Sequence, residues 1–239
     1  MASPSLTVLC AGALRGVLDE LAPRFERRAE CRVSVACERS ERVAARVLAG
    51  EPIDVVVTTA ECVADLVRGD AVLGDGVAAV AAAAIGLAVR AGAARPDIGS
   101  VAAFTQTLLD AGPIAIADPA TGSPSANHFT AVLERLGIAG RVLPKCRLVG
   151  PSEGSVVVCC EAVASGDAEI GIQQISEILA VPGVDLVGPL PGELQKTTVF
   201  CAAVGARAGD PGLARRLVAF LTSADAVPVI RAKGLDRPV

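Results

Sequence analysis

Two loops near the start of the chain carry residue types that bind anions. The first, Gly12-Ala13-Leu14, follows an apolar run over residues 6–10, and the second is Arg39-Ser40-Glu-Arg42. Where a strand passes into a helix, the first backbone N–H groups of the helix lack intrahelical partners and lie at the positive end of the helix dipole. Such loops bind phosphate, oxyanion or carboxylate groups. The second loop adds a hydroxyl and two guanidinium groups.

Two further side chains are candidates for moving a proton. His128 is the only histidine and lies in the opening turn of a predicted helix, and its ordinary pKa suits a general base. The alternative is a histidine that faces solvent. Glu153 lies between glycines at a predicted helix start, where it is either a base or a charge that complements the helix dipole. Cys10 and Cys37 end strands near the loops. Their thiols either act as acid/base groups or are inert buried side chains.

Composition excludes several classes of protein. The 239 residues are 52% hydrophobic, carry a net charge of −4 and include neither Trp nor Tyr, so a stacking platform for nucleic-acid bases is not expected. No apolar segment is long enough to cross a membrane, and no nucleotide-binding or hydrolase motif is found. The eight cysteines form no CxxC or other metal-ligand pattern, and we expect neither a metal nor a cofactor.

The N-terminus predicts where the protein resides. Residues 1–5 lead directly into a strand and leave no room for a secretory leader, so we expect a cytoplasmic protein. We expect most of the eight cysteines to be small buried residues, which agrees with a reducing compartment. A periplasmic location is the alternative if a leader has been removed.

The order of elements predicts an α/β fold with two lobes. Short Val- and Ala-rich runs alternate with amphipathic stretches of helical length, which is typical of a mainly parallel sheet. Long strands over 80–89 and 197–204 read as two hinge crossings, and helices over 211–221 and 225–233 follow. We predict lobe I over 1–84 and 200–239, and lobe II over 85–199.

Ligands of open α/β sheets lie outside the carboxyl ends of the strands. With two lobes, we therefore expect a cleft between them to hold the ligand. Besides the two anion loops, this topology predicts that donors from both lobes contribute. They are Thr59, Ser123, Ser125, Ser155, Val156 and Gln174.

Several of these segments together resemble a known family. Ala11-Gly-Ala-Leu14 follows a strand, the Ser40 helix ends in Ala49-Gly-Glu-Pro-Ile-Asp54, and Ala117-Asp-Pro119 and Gly171-Ile172 lie further along. This order is similar to the molybdate-binding proteins of ABC transporters over nearly the whole chain. The resemblance implies the type II periplasmic-binding-protein fold, each lobe a mainly parallel sheet flanked by helices.

The residues that bind the oxyanion in that family map onto altered positions here. The resemblance places its first-loop serine on Ala13, its second-loop serine on Ser40 and its tyrosine on Gln174. Its second-lobe amides fall near Ser125 and near Ser155 or Val156. Because Arg39 and Arg42 flank the retained serine, and guanidinium forks suit carboxylates, an organic polycarboxylate fits these residues better than molybdate. The alternative is that either arginine faces solvent.

The same family is similar to cytoplasmic aconitate isomerases, which implies an activity. These enzymes interconvert cis- and trans-aconitate without a cofactor, and an allylic proton shift accounts for the reaction. We therefore predict an isomerase of an unsaturated polycarboxylate, with His128 or Glu153 moving the proton. The alternatives are a molybdate- or tungstate-binding protein of an ABC transporter, and a sensor of organic anions without catalysis. In each case the partner is a small anion.

Overall fold

The computed structural model describes residues 3–121, 123–150 and 158–238, without the side chains of Thr121 and Val158. The chain divides into two compact units, which we call unit 1 (Met1–Ala83 and Thr198–Val239) and unit 2 (Ala84–Thr197). Within these ranges no helix is long and apolar enough to cross a membrane.

Strands and helices alternate along most of the described chain. The strands are β1 Ser5–Ala11, β2 Arg32–Glu38, β3 Val55–Thr59, β4 Ala78–Arg90, β5 Ile114–Ala117, β6 Cys146–Val149, β7 Ile170–Gln174, β8 Val184–Pro189, β9 Thr197–Val204 and β10 Leu235–Asp236. The helices are α1 Arg15–Ala29, α2 Ser40–Leu48, α3 Ala60–Arg68, α4 Val101–Asp110, α5 Pro124–Arg135, α6 Ala139–Val142, α7 Val158–Ser165, α8 Ile175–Ile178, α9 Pro211–Leu221 and α10 Val227–Ala232.

The sheet of unit 1 has the strand order β2-β1-β3-β9-β4, and β10 pairs with β4. β1 is parallel to both β2 and β3, whereas β9 runs antiparallel to β3. α1 buries Val17, Leu18, Leu21 and Phe25 against one face of this sheet. These positions recur at helical spacing, which places them on one side of α1. α2 and α3 cover the other face through a second apolar cluster.

The sheet of unit 2 centres on β5, which pairs in parallel with β6 and β7. Residues 85–90 of β4 pair antiparallel with β7 and β8. Phe104 of α4 and Phe129 of α5 are fully buried in its main apolar cluster. The long strand predicted over 80–89 is thus confirmed as β4.

The segment that ends with Asp54 fixes the edge of unit 1 opposite its carboxyl ends. Gly50 adopts φ +89°, a left-handed conformation that favours glycine, and its carbonyl accepts a hydrogen bond from Arg207 at 3.0 Å. The Asp54 carboxylate accepts from the backbone N–H of Thr7 at 2.7 Å and of Gly209 at 2.8 Å. This segment therefore ties the start of β1 to the chain that follows β9.

The structure has helices that the sequence analysis does not predict, of which α4 is the longest, and it shortens one predicted helix. α4 is an additional helix, which Ser100 caps by accepting a hydrogen bond from the N–H of Ala103 at 3.1 Å. The signal in the sequence is a Ser N-cap followed by Phe104 and Leu108, four residues apart. The helix predicted over 225–233 is a 3-10 turn, Ala224–Ala226, followed by the shorter α10.

Replacement of Asp54 tests its role in unit 1. We expect Asp54→Ala to lower the free energy of unfolding by about 1–3 kcal/mol, because two backbone N–H groups lose a charged acceptor. Urea denaturation monitored by circular dichroism measures the change. Asp75→Ala is the matched control, since Asp75 is an exposed partner of Arg215 and should shift stability by at most about 0.5 kcal/mol. Equal transition midpoints for the two variants would contradict the assignment.

Candidate functional site

The structure brings the anion loops of unit 1 together at the carboxyl edge of its sheet. A 3-10 turn, Gly12–Leu14, leads from β1 into α1, α2 begins at Ser40 shortly after β2, and α3 begins immediately after Thr59 of β3. Because β1, β2 and β3 are parallel, the N-termini of all three helices lie at the same edge. Unpaired helix N–H groups there present positive partial charge.

Ser40 is the best-placed side-chain donor at this edge. Its residue is 7% exposed, and its hydroxyl makes no hydrogen bond to any described residue. Its carbonyl accepts a hydrogen bond from the hydroxyl of fully buried Thr58 at 3.4 Å. Thr59, in contrast, caps α3, since its Oγ1 accepts from the N–H of Cys62 at 3.3 Å. Ser40 is therefore held through its backbone carbonyl, and its hydroxyl makes no hydrogen bond within the described residues.

The two arginines beside Ser40 have different environments. The Arg42 side chain is 71% exposed, and its Nε lies 3.5 Å from Oε2 of Glu38, the last residue of β2. Glu38 also approaches Arg46, whose strongest contacts are with Glu51 at 2.5 and 2.6 Å. Arg39 is half-buried in an extended conformation before α2. It makes no ion pair in the described part of the chain.

The two glutamates near Arg39 and Arg42 differ in their partners. Glu38 pairs with Arg42, but Glu41 forms no ion pair with any residue in the described ranges. The residues three and four positions after Glu41 in α2 are Ala44 and Ala45, which carry no charge, whereas Glu38 at the end of β2 lies beside Arg42. Burial raises the pKa of the Glu41 carboxyl, against the opposing charge of Arg39. Glu41 is thus a half-buried carboxyl beside Arg39 and Ser40.

Unit 2 has its own carboxyl edge, formed by the ends of its parallel strands. Ser123 precedes α5 directly, and its Oγ lies 3.2 Å from Oγ of Ser125, which is 3% exposed. Gln174 ends β7 and is also buried. Because β5, β6 and β7 are parallel, these donors lie at the same edge of the unit. The remaining predicted residues, Glu153, Ser155 and Val156, lie outside the described residues.

The imidazole of His128 is tied to a main-chain carbonyl. Nε2 lies 2.8 Å from the carbonyl oxygen of Leu194, so this nitrogen carries a proton and donates it. Arg135, two turns further along α5, donates to the carbonyl of neighbouring Glu193 at 2.6 Å. In the neutral ring only Nδ1 remains available as a base. The sequence does not reveal this contact, because its acceptor is a backbone group 66 positions away.

The thiols of Cys10 and Cys37 face each other just before the anion loops. Their sulfur atoms are 2.9 Å apart, and the residues pair in register across β1 and β2. The sequence indicates two separate strand ends, and only the register shows that the thiols meet. No group of three or more His, Cys, Asp or Glu side chains in the described ranges has a metal-binding arrangement.

Comparison with known proteins identifies the family of this chain. Residues 6–236 match the profile of the bacterial extracellular solute-binding proteins. Aconitate isomerase from a Pseudomonas species is 34% identical over 241 residues, which cover 98% of this chain and 88% of that protein.

Solved structures show the same fold. The periplasmic molybdate-binding protein of Azotobacter vinelandii superposes with a TM-score of 0.80 at 21% identity, over 98% of this chain and all of that one. The sulfate-binding protein of Mycobacterium tuberculosis H37Rv has a TM-score of 0.74 at 18% identity, over 98% and 87% of the two chains. The predicted α/β periplasmic-binding-protein fold is thus confirmed, and the chain belongs to the bacterial extracellular solute-binding protein family.

Proposed function

We propose that this protein is a cofactor-independent isomerase that interconverts cis- and trans-aconitate. The observation that carries the proposal is the 34% identity to an aconitate isomerase, which extends over 98% of the chain and so includes both units. The donors at the carboxyl edge of unit 1 support it, because they combine backbone amides with cationic and hydroxyl groups. The reaction needs a ligand that is bound through several carboxylates.

Arg39 and Ser40 supply the principal carboxylate contacts in this proposal. Arg39 is a half-buried residue without an ion pair in the described structure, so its guanidinium can bind a carboxylate through two parallel hydrogen bonds. The Ser40 hydroxyl and the backbone N–H groups of Ala13 and Leu14 add neutral donors. Arg42 contributes less, since its charge is exposed to solvent and shared with Glu38.

The proposed reaction is an allylic proton shift that conserves every atom. A base removes a proton from the methylene carbon of aconitate, and the C–H electron pair becomes a new double bond to the central carbon. The original double bond opens, and a proton is delivered to the carbon that was vinylic. Between the two proton transfers, negative charge spreads from the outer carbons of the allylic system onto the carboxylates that they carry. Cationic groups that bind those carboxylates therefore lower the barrier.

His128 and Glu153 remain the proposed proton carriers. For His128 the base is Nδ1, because Nε2 donates to the carbonyl of Leu194. That hydrogen bond fixes the tautomer and orients the ring. In catalytic histidines, the hydrogen-bond partner of one ring nitrogen commonly has this effect on the other nitrogen. Glu153 supplies a carboxylate for the same role. We also propose a cytoplasmic location, supported by the eight cysteines, all of which are free thiols.

A ligand panel with a turnover assay tests the proposed function. We expect cis- and trans-aconitate to raise the Tm of the purified protein, because a ligand that binds only the native state stabilises it by mass action. Chromatography should also show each isomer converting to the other, with a heat-denatured sample as the control. Stabilisation by molybdate alone would indicate an oxyanion-binding protein. Stabilisation by aconitate without conversion would indicate a sensor.

Replacement of Arg39 tests the carboxylate contacts. Arg39→Ala should weaken aconitate binding by about 10- to 100-fold, since a charge-assisted hydrogen bond contributes about 1.5–3 kcal/mol. Isothermal titration calorimetry measures the Kd. Arg68→Ala is the matched control, because Arg68 is an exposed arginine in the last turn of α3, paired with Asp65. If both variants bind as tightly as the parent protein, Arg39 has no role in binding.

Separate substitutions identify the proton carrier. His128→Gln or Glu153→Gln, whichever removes the base, should lower kcat by about 10²- to 10⁴-fold, while the Kd for aconitate stays within a few-fold. Thermal unfolding of each variant separates loss of chemistry from loss of the His128–Leu194 contact. If both variants keep the parent kcat, neither residue is the base.

A further inference from the structure

We propose that Cys10 and Cys37 are a redox modification site, at which a peroxide converts the two thiols into a reversible disulfide. The proposal rests on the position and surroundings of this pair and is independent of the aconitate reaction. It would make the strand ends that precede both anion loops responsive to oxidant.

Strand register places the two residues at a distance suited to a disulfide. Cys10 and Cys37 pair directly across the parallel strands β1 and β2. Neighbouring strands lie about 4.8 Å apart, within the Cα separation of about 4.4–6.8 Å that disulfides adopt. The sulfur atoms are already 2.9 Å apart, so they need to approach by less than about 1 Å to reach a bond length of about 2.0 Å.

Both side chains point to the same face of the sheet. Cys10 belongs to the apolar cluster beneath α1, and Cys37 packs against that cluster. Cys10 is fully buried, whereas Cys37 is half-buried. A small oxidant can therefore reach Cys37 first, and Cys10 is protected from solvent but touches its partner. This is the arrangement of an attacking thiol and a resolving thiol.

The electrostatic surroundings assign the same two roles. The hydrogen bond from Cys10 and the positive charge of Arg15 lower the pKa of the Cys37 thiol, although burial opposes them and Asp19 raises it slightly. The hydrogen bond to Cys37 and burial raise the pKa of Cys10. The thiolate is the reactive form of cysteine. Cys37 is therefore the nucleophile of the pair.

Five of the six other cysteines provide a contrast within the same chain. Burial raises the pKa of Cys31, Cys62 and Cys201, and raises that of Cys146 to about 11 and of Cys160 to about 12. Raised pKa values keep these residues as unreactive thiols near neutral pH. We therefore expect oxidation to begin at Cys37 rather than at random.

The chemical steps balance with hydrogen peroxide as the oxidant. The Cys37 thiolate attacks one peroxide oxygen, an S–O bond forms, the O–O bond breaks and hydroxide leaves, giving a sulfenic acid. The Cys10 sulfur then attacks the Cys37 sulfur, the S–O bond breaks, and the thiol proton leaves with the hydroxyl group as water. The two sulfur atoms lose two electrons in total, and the peroxide is reduced to water.

The new bond would join strand ends that lead directly into the candidate site. Cys10 precedes Ala11 and the Gly12–Leu14 turn, and Cys37 precedes Glu38 and Arg39. The cross-link spans 27 positions of the chain, so it restricts the unfolded state substantially. A rise in Tm of about 5–10 °C is therefore expected on oxidation.

Peptide mapping of the oxidised protein tests the proposal. The full chain is treated with hydrogen peroxide, the remaining thiols are alkylated, and the protein is digested with trypsin. Trypsin separates Cys10 (peptide 1–15), Cys31 (peptide 29–32) and Cys37 (peptide 33–39). We expect one cross-linked species that joins peptides 1–15 and 33–39. Its mass should equal that of the two peptides minus two hydrogen atoms, and dithiothreitol should separate the peptides completely.

Two variants sharpen the test. Cys10→Ala should lose the cross-link and leave Cys37 as a sulfenic acid that a dimedone probe labels. Cys31→Ala, the matched control in unit 1, should form the cross-link at the parent rate. The proposal is overturned if the parent protein resists peroxide, if another pair of cysteines cross-links, or if Cys37 is oxidised without joining Cys10. Because the parent protein alone gives these three readouts, the test holds even where a variant fails to fold.

Discussion

Parallel pairing of strands within each unit is the constraint on which the candidate site depends. β1, β2 and β3 run in the same direction, so each must return through a helix, and the three helices all begin at one edge of the sheet. The backbone N–H groups of their first turns therefore converge without any specialised motif. β5, β6 and β7 impose the same geometry on unit 2.

The difference between binding a compact oxyanion and binding a polycarboxylate lies in charge at these edges. Amides and hydroxyls alone can enclose a small dianion, because hydrogen bonds in a desolvated pocket compensate its charge. The edge of unit 1 adds Arg39, a half-buried cation with no ion pair in the described ranges. Its charge acts on the neighbouring Glu41 carboxyl, and an anionic ligand would add charge-assisted hydrogen bonds to the same guanidinium. This residue connects the fold to the proposed substrate.

The sequence predicts the fold better than it predicts the site. Alternating apolar runs and amphipathic stretches indicate the strands and helices, because periodicity is a local property. The segment from Ala49 to Asp54 is a signal of the fold because it stabilises the sheet of unit 1. The Asp54 carboxylate accepts hydrogen bonds from the N–H groups of Thr7 and Gly209. That role is structural, and it explains why the segment identifies a fold but not a ligand.

Features that depend on long-range contacts cannot be predicted from the sequence. The carbonyl that holds His128 belongs to Leu194, and the thiol that meets Cys37 belongs to the neighbouring strand. Neither pairing follows from spacing along the chain. The sequence does not distinguish Arg39 from Arg42. In the structure Arg39 is half-buried, whereas Arg42 is exposed and lies beside Glu38. Burial therefore decides which arginine is the stronger candidate.

In our proposal the protein transforms a polycarboxylate as well as binding it. Proton NMR of cis-aconitate with the protein in deuterated buffer distinguishes turnover from binding. We expect trans-aconitate resonances to appear with deuterium at the methylene carbon, since a base that removes the proton can exchange it with solvent. If the cis-aconitate spectrum stays unchanged while calorimetry shows that the same sample binds it, the protein is not an isomerase of aconitate.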